Sequence, residues 1–202
     1  MSAMCKNAGV TNVTLVGVGG QGTILVSDLL ALAAMAAGYD VKKSEIHGMS
    51  QRGGSVVSQV RFGEVVRSPI IPEGATDILV AFERTEALRY AHLLREGGTF
   101  LVNHLEKTPV SVSSGAQPAL ADPDGRLAAF AGLQMVEAEA LAKEAGNART
   151  ANVVLLGALS KHLPGIPAEA WQAALHQRVP QKFLDVNLKA FELGAGSGES
   201  GQ

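Results

Sequence analysis

Residues 13–22 read Val13-Thr14-Leu15-Val16-Gly17-Val18-Gly19-Gly20-Gln21-Gly22, an apolar run that breaks into four glycines within six positions. From Thr23 to Ala37 the chain is almost wholly apolar or small, and it stops at Gly38. The β-rich run predicts a strand, the glycines a loop, and the apolar stretch a helix covered on more than one side and closed by a glycine. Gly17, Gly19 and Gly22 have the spacing at which glycines permit a tight turn, close backbone approach to a pyrophosphate, and packing of helix on strand. The first N–H groups of such a helix have no intrahelical acceptor and face an anion favourably. The loop from Gly17 to Thr23, including Gly20 and Gln21, is therefore the first candidate binding element. A purely structural tight turn is the competing reading.

Outward from that unit, Tyr39 to Ile46 reads as a second strand, but Lys42, Lys43, Ser44 and Glu45 make it too polar for a central parallel strand buried on both faces. Glu45 follows Gly22 by 23 residues, close to where a dinucleotide-binding fold places the acid that holds a ribose hydroxyl. Next comes His47-Gly48-Met49-Ser50-Gln51-Arg52-Gly53-Gly54-Ser55, a second glycine-rich loop where an ordinary dinucleotide domain would begin a helix. A guanidinium held among glycines suits bidentate contact with phosphate or carboxylate, so Ser50, Arg52, Gly53 and Gly54 are the second candidate set. The plainer alternative is a solvated connector with an exposed arginine. Ser55 to Phe62 alternates as a strand, Gly63-Glu64 supplies a turn, and Val65 to Ile71 returns with Pro69 marking an edge. This predicts a β-hairpin inserted into an α/β fold.

Asp77 to Phe82 is a cleaner buried strand, followed by a helix from Thr85 to Arg95 that ends at Gly97-Gly98. Glu86 and Arg89, three apart on that helix, read as a surface ion pair. Thr99 to Val102 is another strand, with Asn103 and His104 just past its carboxyl end; His104 reads as a polar loop residue outside the site. Leu105 to Asp124 is a variable connection with a short strand at Val110 to Ser113. Arg126 to Ala131 reads as a short helix and Leu133 to Val136 as a strand. Helices over Glu137–Ala145, Thr150–His162, Ala168–Gln177 and Gln181–Leu193 complete the chain. The fold class expected is α/β: a three-layer, mostly parallel Rossmann-like sheet with an inserted β-hairpin and a helical C-terminal third. One domain is expected over residues 1–193, with a disordered tail over 194–202.

Composition narrows the function. The 202 residues are enough for one sizeable core, and a net charge of −2 supplies no basic field for nucleic acid or an anionic membrane. Cys5 is the single cysteine, so the chain forms no internal disulfide and cannot supply the four thiolates of an iron–sulfur cluster. No apolar run reaches membrane-spanning length, and the first residues lack the apolar core of a signal peptide, so a cytoplasmic protein is expected. Zinc spacing, a Gly-x-Ser-x-Gly elbow and the Lys-Ser/Thr of a nucleotide-hydrolysing loop are all missing. Two anion-suited loops without a nucleophile or metal site point to a cofactor-holding or interface component of a larger enzyme.

The pairing of Gly17-Val-Gly-Gly-Gln-Gly22 with His47-Gly-Met-Ser-Gln-Arg-Gly-Gly54 resembles the gamma-type domain of the 2-oxoacid:ferredoxin oxidoreductases. The second motif fits the branch acting on aryl-2-oxo acids such as indolepyruvate, since relatives acting on pyruvate or 2-oxoglutarate keep an Arg-Gly pair here with different residues before it. Ser68-Pro69, Asn152-Val-Val-Leu-Leu-Gly157 and Asn187-Leu-Lys-Ala-Phe191 extend the resemblance over nearly the whole chain except the tail, with little signal between Thr108 and Arg126. The resemblance implies oxidation of an aryl-2-oxo acid with CoA to an aryl-acetyl-CoA and carbon dioxide, with reduction of ferredoxin. It places thiamine diphosphate and the iron–sulfur clusters on a large partner subunit. CoA, as co-substrate, or that partner would contact Gly17 to Thr23 and Ser50 to Gly54, and no catalytic residue is implied for this chain. A free-standing NAD(P)-dependent reductase using Glu45, and a non-catalytic scaffold subunit, remain as alternatives.

Overall fold

The computed structural model describes residues 9–47, 54–106 and 121–197. The opening run forms β1 (Thr11–Val18), the glycines make the turn, and α1 (Thr23–Ala36) follows. Gly38, at φ 84°, closes that helix in the left-handed conformation glycine adopts cheaply, with the Tyr39 N–H returning to Ala34 O. The remaining strands are β2 (Asp40–His47), β3 (Ser55–Gly63), β4 (Thr76–Ala81), β5 (Leu94–Asn103) and β6 (Leu133–Val136). They form a six-stranded sheet in the order β2-β3-β1-β4-β5-β6. β1, β4, β5 and β6 are mutually parallel, and β3 runs antiparallel to both its neighbours.

The helices are α2 (Arg84–Tyr90), α3 (Pro123–Ala128), α4 (Ala138–Ala145), α5 (Ala151–Ser160), α6 (Ala168–Arg178) and α7 (Leu184–Gly196). Alternation along the strands sends Val13, Leu15, Val60, Ile78, Val80 and Leu101 to one face, where α1 and α4–α7 form the larger core. Val16, Val57, Leu79, Ala81, Phe100 and Val102 point to the other face, covered by Ala87 of α2 and Leu127 of α3. The expected three layers and helical C-terminal third are therefore present, with unequal outer layers.

The inserted hairpin is also present, but its strands are β2 and β3, paired from Asp40↔Gly63 to His47↔Val56. The return strand expected at Val65 to Ile71 does not form. Pro69 and Pro72 remove ladder donors there, and the available amides bond to side chains instead: Val66 N–H to Asp40 Oδ2 and Ile71 N–H to Gln59 Oε1. Buried Val66 and Ile71 make this segment a strap tied to β2 and β3. The helix expected over Thr85–Arg95 stops at Tyr90, passes through a 3₁₀ turn at Ala91–Leu93, and gives way to β5 at Leu94. Thr76 pairs with Leu94 but Ile78 with Thr99, so residues 95–98 are absorbed as an irregularity in the strand.

α3 starts at Pro123, ahead of the expected Arg126, because the Asp122 side chain caps it by accepting the Gly125 N–H. The strand expected at Val110 to Ser113 lies outside the described residues. At the other end α7 runs through Gly196, so the boundary expected at residue 193 falls too early. Gly194 belongs to a helix crossing rather than to a tail: a Cβ there would lie 2.0 Å from Val154 O of α5, and one on Gly157 would lie 2.1 Å from Phe191 O. Backbones approach this closely only where neither helix carries a side chain.

Candidate functional site

Reversal of β3 decides what meets at the carboxyl edge of the parallel strands. Val18, the last residue of β1, pairs with Ser55, the first of β3, and the Gly19 N–H donates to Gly54 O at 2.9 Å. The two glycine loops, 32 residues apart in sequence at Gly22 and Gly54, are thus joined by a backbone hydrogen bond. Of the second candidate set, Gly54 is in place; Ser50, Arg52 and Gly53 lie outside the described residues.

Inside the first loop each residue has a distinct task. Gln21 turns inward: its N–H donates to Val18 O at 3.1 Å, its Oε1 accepts the Val18 N–H at 2.6 Å, and its Nε2 donates to Phe82 O at 3.4 Å. It braces the loop against β1 and the end of β4. Gly17 is required by this packing, since a Cβ would lie 2.8 Å from Gln21 Oε1 and 2.9 Å from both Phe82 Cβ and Thr23 Oγ1. Gly22, at φ 85°, makes room for Asn152 of α5, whose Nδ2 would sit 2.3 Å from an added Cβ. Gly20, at φ 94°, is exposed with nothing among the described residues within 4 Å of an added Cβ, and Ile24 beside it on α1 is also exposed. The Thr23 hydroxyl is buried without a hydrogen-bond partner among the described residues.

This geometry tests the pyrophosphate-cradle reading. The amides of Gly19 and Gln21 are spent on Gly54 O and Val18 O, and the space beside Gly22 is filled by Asn152. Among the described residues, what stays exposed here is Gly20 and Ile24 in the first turn of α1. The ribose-acid reading of Glu45 is overturned by topology, because β3 lies between β1 and β2 and carries Glu45 to the sheet edge. There Glu45 accepts from Lys43 Nζ at 2.6 Å, and Lys43 also pairs with Asp28, which Arg178 reaches at 3.3 Å.

Beyond β4, Glu83 is 1% exposed and caps α2, accepting the N–H groups of Thr85 (2.9 Å) and Glu86. Burial raises its carboxyl pKa against the lowering effect of those two amides. The Glu86–Arg89 pair forms at 2.9 Å as the spacing predicts, but it is not a surface pair: the Glu86 side chain is 5% exposed and also accepts a hydrogen bond from Ser55 Oγ. Asn103, buried at the end of β5, donates to Phe82 O at 3.2 Å and Glu139 Oε1 at 3.1 Å and accepts the Ala138 N–H at 3.3 Å, locking β4, β5 and α4 together. His104, left outside the site, pairs with Glu137.

Sequence reasoning missed Ser55 and Tyr90 as site neighbours and took Glu86 for a surface residue. The available signal was positional: Glu83, three before Glu86, stands where a strand ends and a helix begins, which is capping spacing. Among the described residues no group of three or more His, Cys, Asp or Glu is placed to hold a metal ion, and no helix is long and apolar enough to cross a membrane.

Comparison with known proteins adds four findings. Residues 12–197 match the family profile of pyruvate ferredoxin/flavodoxin oxidoreductase. The chain is similar to the indolepyruvate oxidoreductase subunit IorB of Thermococcus kodakarensis, 46% identical over 195 residues covering 91% of this chain and 93% of that protein. Among solved structures it resembles the keto/oxoacid ferredoxin oxidoreductase gamma subunit of Geobacter sulfurreducens, at 27% identity and a TM-score of 0.68, covering 91% of this chain and 95% of that one. It shares its fold with the 2-oxoglutarate:ferredoxin oxidoreductase of Magnetococcus marinus, a structure with 2-oxoglutarate, coenzyme A and succinyl-CoA bound, at 22% identity and a TM-score of 0.70, covering 92% of this chain and 30% of that one.

Proposed function

The chain belongs to the pyruvate ferredoxin/flavodoxin oxidoreductase family, and from that premise we propose that it is the small, cluster-free subunit of a cytoplasmic indolepyruvate:ferredoxin oxidoreductase. The enzyme converts indolepyruvate and CoA to the aryl-acetyl-CoA and carbon dioxide, and the electron pair released passes to ferredoxin. Thiamine diphosphate, which supplies the decarboxylation chemistry, and the iron–sulfur clusters belong to the large partner subunit. This chain contributes a surface: Gly17, Gly19, Gly20, Gln21, Gly22 and Thr23, together with Ser50, Arg52, Gly53 and Gly54, form its CoA-facing end.

The observation that carries this reading is the Gly19 N–H to Gly54 O bond, which brings both glycine loops to one sheet edge beside an exposed Gly20. Gln21 and Gly17 shape the loop from within, and Gly20 is the position exposed at its tip. The spent amides of Gly19 and Gln21 favour one second reading, in which the same surface docks on the large subunit and CoA is bound elsewhere.

The test is to co-express the chain with its large partner, purify the complex, and compare it with each subunit alone. Turnover is expected only in the complex, with CoA raising the thermal midpoint of the complex and NADH leaving it unchanged. CoA affinity that is identical with and without this chain would assign the surface to docking alone. Turnover by the isolated chain would overturn the assignment.

A further inference from the structure

Ser55 stands between the two glycine loops and a helix that takes no part in the glycine geometry. It points to the same sheet face as Val57, the face that α2 covers. Its Oγ–H donates to Glu86 Oε2 and its Oγ lies 2.9 Å from Tyr90 Oη, while Arg89 Nε forms an ion pair with Glu86 Oε1 at 2.9 Å. An ionised carboxylate only accepts, so the single Ser55 hydroxyl proton goes to Glu86 and Tyr90 is the donor to Ser55. The polar chain therefore has one direction, from Tyr90 through Ser55 to Glu86, with Arg89 completing the carboxylate's shell.

The sheet does not need this chain for its register. β3 is paired to β1 along its whole length, from Val18↔Ser55 to Thr11↔Phe62, by its backbone. A carboxylate this buried is costly unless fully partnered, and of its two partners among the described residues Arg89 lies on the same helix while only Ser55 reaches it from the sheet. That residue directly follows Gly54, whose carbonyl holds Gly19. We propose that Glu86 is a positioning residue for the CoA-facing end: through Ser55 it fixes where the second glycine loop joins β3, and through Gly54 it sets the spacing between the two loops. The inference rests on the reading that these loops face CoA.

The experiment uses the purified complex with the large subunit and four variants: Ser55→Ala, Ser55→Thr, Glu86→Gln and Arg52→Ala. Arg52→Ala reports on the CoA reading itself. Loss of a hydrogen bond to a charged group predicts a rise of about tenfold in the KM for CoA in both Ser55→Ala and Glu86→Gln. The kcat and the KM for indolepyruvate should stay at parental values, a split that a general loss of folding would not produce. The Ser55→Ala/Glu86→Gln double variant should show little further rise, because both changes break one link. Ser55→Thr keeps the hydroxyl and should stay within about twofold of the parent. If Arg52→Ala raises the KM for CoA while Ser55→Ala and Glu86→Gln leave it unchanged, the positioning role is wrong and the CoA reading stands. If Arg52→Ala is also without effect, both fall together. Should Glu86→Gln fail to fold, Ser55→Ala decides the matter alone, since it leaves the Glu86–Arg89 pair in place.

Discussion

Gly20 allows backbone strain to be separated from obstruction of a ligand. Its φ of 94° is costly for any L-residue, yet an added Cβ would meet nothing within 4 Å. A side chain there strains the backbone but meets none of the described residues. Left-handed geometry costs roughly 1–2 kcal/mol for an ordinary residue, and Asn tolerates it better than most. Against this, replacing glycine restricts the unfolded chain and returns about 0.4–1 kcal/mol. Gly20→Asn should therefore cost about 1 kcal/mol or less, a fall of about 2–4 °C in the melting midpoint of a chain this size. Gly20→Val, β-branched at positive φ, should cost more and serves as the strained control.

The functional effect of Gly20→Asn is expected to exceed that stability cost, because the new side chain projects into the space assigned to CoA. The assay is calorimetric melting of the chain alone beside CoA-dependent turnover of the assembled complex. The expected pattern is a small shift in the midpoint with a rise of more than about tenfold in the KM for CoA, equivalent to about 1.4 kcal/mol. Parental KM, parental kcat and full recovery of the large subunit on co-purification would refute the reasoning, since an exposed loop that neither ligand nor partner contacts has no function at Gly20. A loss of co-purification with unchanged KM would move the loop to the docking surface.

The remaining predictions concern charge and packing. Arg52→Lys keeps the charge but loses the planar fork, so it should weaken CoA binding or assembly by about 1.5–3 kcal/mol; equal behaviour of Arg52→Lys, Arg52→Ala and the parent would make the residue a bystander. Gly157→Ala gains about 1 kcal/mol of helix preference but drives a Cβ to 2.1 Å from Phe191 O, and overpacking against backbone costs about 1–3 kcal/mol or more, so net destabilisation is expected in a denaturant melt. A Gly157→Ala variant more stable than the parent would show that the α5–α7 crossing relaxes freely. Burial raises the Glu83 carboxyl pKa, so this group's contribution to stability is full below the unfolded value of about 4.3 and is lost as pH rises through the folded value. Glu83→Gln removes that slope: its melting midpoint should lie furthest below the parent's in acid and gain on it toward neutral pH, and a pH-independent difference would contradict the assignment.

Much of the fold could be read from local chemistry. The run Val13–Gly22 encodes a strand, loop and helix through three agreeing signals, and β1 and α1 appear there with Gly38 at the closure. The failures share one cause, which is that a non-local partner redefines a locally ambiguous segment. Val65 to Ile71 has strand composition, but Asp40 and Gln59 capture its amides, and neither is adjacent in sequence. Gly194 has tail composition, but Val154 requires a glycine at that crossing. Glu86 has a surface helix's ion-pair spacing, yet Ser55, 31 residues away, buries its carboxylate in a hydrogen-bonded set.

The same cause explains why the glycine fingerprint predicted the strand, loop and helix but misassigned the parts of the loop. In a dinucleotide fold β1 and β2 are neighbours, so the acid about 20 residues beyond the glycines meets the ribose. Here β3 is inserted antiparallel between them. That insertion removes Glu45 from the edge where the loop sits, and it supplies Gly54 O as the acceptor for the Gly19 N–H. Two consequences follow from one topological change: the ribose partner is lost, and an amide that would have faced phosphate is spent inside the protein. Asn152 then occupies the space that Gly22 leaves free, and Gln21 folds back onto β1. The glycines that match the fingerprint spacing, Gly17, Gly19 and Gly22, are thus each accounted for by contacts within the chain. Gly20, which the spacing does not single out, is the exposed glycine of the loop, and β3 delivers Gly54 beside it. The shape of this edge depends on β3 as much as on the glycine loop, which no motif confined to residues 17–22 could express.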